Sequence, residues 1–80
     1  MAKARFRLTF PAALIKEPLI YQLGHRFKVV TSIRRADVRD DQGWVVLELE
    51  GDSQEIDRAA AWIQEKGVHV APVSGDIVEG

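Results

Sequence analysis

Residues 3–10 alternate polar with apolar positions, with Phe6, Leu8 and Phe10 on one side and Arg5, Arg7 and Thr9 on the other. That period of two is the signature of a half-buried strand. Pro11-Ala12-Ala13 interrupts it. Pro18 suits the first turn of a helix, where its missing N–H costs nothing, and Ile20, Leu23 and Phe27 then fall at i, i+3 and i+7. The spacing predicts a helix from about residue 17 to 26, weakened by Gly24.

Residues 28–39 are rich in Val, Ile and Thr and lead through Asp40-Asp41-Gln42-Gly43 into Trp44-Val45-Val46-Leu47-Glu48-Leu49-Glu50, which predicts a β-hairpin. Closing it with four turn residues sets Arg39 opposite Trp44, Val38 opposite Val45, Ala36 opposite Leu47 and Arg35 opposite Glu48. Apolar pairs and an ion pair then occupy opposite faces. Gly51 stops the strand, and Asp52-Ser53-Gln54-Glu55 offers an N-cap and a capping-box glutamate. Ile56, Ala59, Ala60 and Ile63 continue at helical spacing until Gly67 ends the helix. Val68-His69-Val70-Ala71-Pro72-Val73 alternates once more, and Pro72, which cannot donate to a ladder, argues for an edge strand or a strand end.

The order is strand, helix, strand, strand, helix, strand. Right-handed crossovers in both halves predict that the first and third strands lie adjacent and parallel at the centre of a four-stranded sheet of order 4-1-3-2, with both helices on one side. The fold class is α+β: a ferredoxin-like βαββαβ sandwich on an antiparallel sheet, forming one domain over residues 1–74 with a tail at 75–80. Its other sheet face has no helix to cover it. The expected occupants of that face are Arg5, Arg7, Arg35, Trp44, Val46 and Glu48, joined by His69 if the last strand keeps the phase. Glu48 and Glu50 are expected between arginines of both neighbouring strands.

Length and composition narrow the function classes. Eighty residues allow one small core, and 46% hydrophobic with 29% charged residues describe a globular chain rather than a disordered one. A domain of this size buries only about 60% of the surface its unfolded chain exposes, so self-association is a natural source of added stability. Cysteine is absent, which excludes disulfides, iron–sulfur clusters and the Cys-x-x-Cys loop of metal-transport domains with this fold. Eleven Lys and Arg against twelve Asp and Glu give a net charge of −1, with no net attraction to nucleic acid or an anionic membrane. No run approaches the roughly 18 apolar residues of a membrane span, and no signal peptide is legible, so the expected setting is the cytoplasm without membrane insertion.

Catalytic and cofactor motifs fare no better. An RNA-recognition sheet needs stacking aromatics in its central strands, where this chain places Arg5, Arg7, Thr9, Glu48 and Glu50. An acylphosphatase-like site needs an anion-cradling arginine and a water-positioning asparagine, and the chain has no Asn. His25 and His69 lack metal-ligand spacing, no Gly-x-Ser-x-Gly elbow surrounds Ser32, Ser53 or Ser74, and no phosphate-binding Gly-x-x-x-x-Gly-Lys loop occurs. The expectation is a protein that is not an enzyme and carries no metal or cofactor. Two arrangements remain as candidates. Thr31-Ser32-Ile33-Arg34-Arg35-Ala36 sets two guanidinium groups in an otherwise apolar strand, suited to fork onto a carboxylate or to answer internal acids such as Glu48. Trp44 beside Val46 on the uncovered face reads as a partner surface, or as a ring stacked under Arg39.

With those residues in view, the chain resembles the NIL domain family over most of its length. The likeness runs through Arg7-Leu8-Thr9-Phe10, Pro18-Leu19-Ile20, Arg26-Phe27 and Ile33-Arg34-Arg35-Ala36-Asp37-Val38, then Gly43 to Gly51, Ala60-Ala61-Trp62-Ile63 and Gly67-Val68-His69-Val70. The resemblance implies the ferredoxin-like fold and a regulatory module of methionine transporter ATPases, dimeric, with L-methionine bound near the subunit interface. The family is named for an Asn-Ile-Leu triplet in the second strand, where this chain has Ser32-Ile33-Arg34. A hydroxyl replaces the longer amide, and Arg34 adds a charge that can meet a ligand carboxylate or fill the pocket.

Two functions follow as expectations. One is a homodimeric regulatory domain that binds a small amino acid such as methionine at Ser32, Ile33, Arg34, Arg35 and Ala36. The other is a protein-interaction module that docks a redox or sulfur-metabolism partner through Trp44, Val46, Arg5 and Arg7.

Overall fold

The computed structural model describes residues 1–73, so the expected tail at 75–80 and the last residue of the expected domain lie outside the described residues. Strand β1 (Ala2–Pro11) runs into a 3-10 turn (Ala12–Leu14), then helix α1 (Leu19–Arg26), strands β2 (Val29–Val38) and β3 (Gln42–Gly51), helix α2 (Ser53–Glu65) and strand β4 (His69–Pro72). The sheet order is β2-β3-β1-β4, the predicted 4-1-3-2 read from the other edge. The fold is the ferredoxin-like α+β sandwich.

One topological expectation is corrected. The central strands β1 and β3 are antiparallel, not parallel. Each crossover joins strands that are parallel but not adjacent, because a strand of the other half is inserted between them, and that insertion makes every neighbouring pair antiparallel.

The apolar face of each strand and one stripe of each helix converge on a single core. Leu8, Phe10, Leu19, Leu23, Val45, Leu47, Leu49, Ile56, Ala59, Ile63 and Val68 are buried there, with Phe27 and Val29 closing one end. Helix α1 begins two residues later than its pattern suggested, with Pro18 at its N-cap position. Helix α2 ends as predicted at Gly67, whose φ of 105° is costly for any side chain. Val68 N–H donates to the Ile63 carbonyl and Gly67 N–H to that of Gln64, so the last carbonyls of the helix are satisfied.

The start of α2 differs from the capping box that its sequence advertises. Asp52 makes no side-chain cap bond, and neither does Ser53 act as the cap that its position suggested. Glu55 instead accepts a 2.8 Å bond from the backbone N–H of Lys28 and a 2.7 Å bond from Arg58. The carboxylate ties α2 to the α1–β2 connection, a long-range contact that the local spacing could not reveal. The Lys28 N–H, with Arg58 beside it, holds the Glu55 carboxyl below the ordinary value of 4.5. A carboxyl depressed in the folded state contributes stability that is whole above its unfolded value and is lost as pH falls through the folded one. In urea melts between pH 6 and pH 3, Glu55→Gln should therefore lose stability at the upper end and close most of its deficit against wild type at the lower end. A pH-independent deficit would refute that role.

Gly51, at the end of β3, is required by a close approach. A Cβ there would lie 2.7 Å from the carbonyl oxygen of Lys28 and 3.3 Å from Val29 Cγ1. Backbone must move to admit it, so Gly51→Ala should destabilise by about 1–3 kcal/mol, read as a lower urea midpoint with an unchanged slope.

Candidate interaction and ligand sites on the sheet

Strand β2 is an outer strand of the sheet, and most of its ten residues are exposed. Its register with β3 departs from the expected one. Val38 pairs with Gly43, Asp37 with Trp44, Ala36 with Val45 and Arg35 with Val46, a slip of two residues that follows from a shorter loop. Arg39 N–H donates to the Gln42 carbonyl at 2.7 Å, so the turn between these facing residues is Asp40-Asp41, two residues in place of four. Between Ile33, opposite Leu47, and Arg35, opposite Val46, the ladder shifts by one, so Arg34 is the extra residue of a β-bulge. A slip of two keeps each side chain on its face, whereas the bulge reverses the phase of everything before it.

These shifts redistribute the expected ion pairs. Arg35 does not meet Glu48. Glu48 sits opposite Ser32 on one side and Arg5 on the other, and Arg5 Nε donates to its carboxylate at 3.0 Å. Glu50 lies between Lys3 and Val30, so the anticipated ladder of arginines around both glutamates reduces to the pair Arg5–Glu48 with Lys3 beside Glu50. Arg39 turns back onto Asp37 at 3.3 Å and leaves Trp44 alone.

The candidate ligand residues Ser32, Ile33, Arg34, Arg35 and Ala36 thus sit together in the middle of an open edge. Ser32 is half-buried and the other four are exposed. Ile33 is 59% exposed, and Val30 and Val38 on the same strand are comparably bare. No ion-pair partner within the described residues takes Arg34 or Arg35.

The open face carries the residues assigned to it. Across three strands, Arg35, Val46 and Arg7 stand in one row, with Ala71 of β4 beyond, while Asp37, Trp44, Thr9 and His69 form the next. Trp44 is covered by Arg7, whose guanidinium carbon lies 4.4 Å from the ring centroid, with Arg35 at 6.0 Å. Val46 is only 6% exposed. Among the described residues no helix lies over this face, and the long side chains on either side of Val46 help to shelter it from water. The expected patch is therefore a surface of guanidinium and indole with its valine underneath.

A third feature had no forecast. Phe10, Pro18, Leu19, Ile20, Val38 and Val45 line a shallow apolar cleft of about 230 Å³ where the end of the hairpin meets the start of α1, with Glu17 at its rim. The only sequence signal was Pro18-Leu19-Ile20, too apolar for a helix start that packs on one side alone. None of Ser32, Ile33, Arg34, Arg35 and Ala36 lines it. Among the described residues, no group of three or more His, Asp or Glu side chains could hold a metal ion, and no helix is long and apolar enough to cross a membrane.

Fold and surface together define a ferredoxin-like sandwich in which, among the described residues, no helix covers one sheet face and no strand pairs with the outer edge of β2. The family model described as NIL domain matches residues 4–72, and the chain belongs to that family. Among solved structures, the C-terminal domain of an ABC transporter ATP-binding protein from Enterococcus faecalis matches with a TM-score of 0.77 at 21% identity, covering 89% of this chain and 83% of that one. At that identity the likeness speaks for the fold. No curated protein matches.

Proposed function

We propose that this chain is a non-catalytic regulatory domain that pairs with a second copy through β2 and senses a small amino acid, such as methionine, at that junction. The observation that carries the reading is the β2 edge, where a mostly exposed ten-residue strand presents Ile33 and a bulge with two guanidinium groups that no carboxylate among the described residues engages. Unpaired edges are liabilities that proteins blunt or use, and two-fold pairing of this one would gather Arg34 and Arg35 of both copies about the axis. Arginine forks suit a ligand carboxylate, and the exposed Ile33 beside them suits an uncharged side chain. Membership of the NIL family supports the regulatory role.

A ligand at 100 times its dissociation constant stabilises a folded state by about 2.7 kcal/mol. Methionine and other amino acids at millimolar levels should therefore raise the melting temperature of the wild type and not of Arg34→Ala. A flat response across the panel argues against sensing.

The second reading, docking of a redox or sulfur-metabolism protein on the open face, is favoured by Arg7 laid over Trp44 beside the sheltered Val46. Indole and guanidinium are the side chains that most often anchor interfaces.

A further inference from the structure

The helical side of the molecule holds a groove that neither reading above uses. Tyr21, Gln22, His25 and Arg26 of α1 form one wall, and Trp62 and Lys66 at the end of α2 form the other, flanking an open space of about 340 Å³. Trp62 is held in place by an edge-to-face contact with Phe27, at 6.0 Å between centroids. Arg26 approaches its ring at 5.4 Å and Lys66 at 5.3 Å. Tyr21, 66% exposed, lies against His25 with the ring centroids 4.3 Å apart and the planes tilted by 52°.

Two features separate this groove from ordinary surface. Its lining contains no acidic side chain, although the whole chain is net negative. Its cations are also weakly held. Arg26 and Lys66 lie near helix C-termini, where a positive charge is favourable, yet both turn onto an indole face instead of a carboxylate, and neither has an ion pair among the described residues. An incoming carboxylate gains a charge-assisted bond without breaking one.

We infer that this groove binds an acidic peptide segment of a partner protein, with an aromatic or large apolar residue set between its carboxylates. Charge complementarity selects acids for Arg26 and Lys66. The spread of those cations across two helices, with Trp62, Tyr21 and His25 between them, favours an extended segment over a single anion. The apolar part of that segment finds exposed ring surface to cover, and the groove is open enough to admit a backbone. The inference does not depend on β2 or on amino-acid sensing.

The full chain carrying Trp44→Phe leaves Trp62 as its sole indole, and its fluorescence can be followed against a random glutamate–tyrosine copolymer. Backbone amide shifts of the wild type at Gln22, His25, Trp62 and Lys66 give a second readout should that variant fold poorly. The expected result is saturable binding that weakens with salt, drops about tenfold in Arg26→Gln/Lys66→Gln and is unchanged in Lys16→Gln, a charge removed elsewhere. Polyglutamate should bind less tightly than the copolymer. Equal affinity for polyglutamate, or inorganic tripolyphosphate binding as tightly as the copolymer, would overturn the peptide in favour of bare charge. Binding indifferent to the double variant would overturn the site.

Discussion

Leu47→Ala is expected to lower the melting temperature by on the order of 20 °C. Leu47 is 1% exposed at the centre of β3, between Phe6 of β1 and Ile33 of β2, and faces the helices. The void among Phe6, Leu8, Leu23, Leu47 and Ile63 is only about 10 Å³ and its lining is apolar, offering a water no hydrogen-bond partner, so truncation opens a cavity that nothing fills. Leucine-to-alanine changes at such sites cost about 2.7–5 kcal/mol, against a total of roughly 5–15 for small domains, and this chain has few spare layers of core. Val46→Ala, one residue away and on the other face, should lose much less. Its cover is Arg7, Trp44 and Arg35 rather than packed helices, and long side chains can close over the gap. Calorimetry of the two variants decides the matter: equal losses would mean that the open face is a second rigid core.

Ile33→Lys should convert a dimer built on β2 into a monomer without harming the fold. Ile33 lies on the edge strand and is more than half exposed, so the monomer loses little by the change. In a two-fold interface each copy contributes the residue, so the loss counts twice. Burying one isoleucine is worth about 1.5–3 kcal/mol, which doubles to roughly 3–6 and weakens association by about 10²–10⁴-fold. Lysine adds an obstruction of its own, since charged side chains are the usual guard of exposed strand edges. Sedimentation across micromolar concentrations reads the result. A variant that stays dimeric would place any subunit contact elsewhere and would take the proposed ligand site with it.

Several elements were legible because their signals are local. The period-2 runs of β1 and β3, the apolar stripe of α2 and Gly67 as its stop each depend on a few neighbouring residues. The parity of side chains along β1 and β3 was legible too, which is why Arg7, Trp44 and Val46 appear on the face assigned to them; the bulge at Arg34 affects β2 alone. Register was not. Loop length and the bulge at Arg34 are decided by how β2 packs across β3, and alternation alone cannot distinguish pairings that differ by two. Ion pairing failed for the same reason: Glu48 was assigned to Arg35 and belongs to Arg5.

Sequence by itself determined the order of elements, the core-facing stripe of each and the resemblance to NIL domains, since these rest on periodicity and short motifs. Only the tertiary structure decided the register of β2 on β3, that Glu55 reaches Lys28 instead of capping its own helix, and that Val46 is sheltered. It alone brought Arg26 and Lys66 onto Trp62. Each of these depends on groups distant in sequence meeting in space, and such meetings are set by packing the whole chain at once.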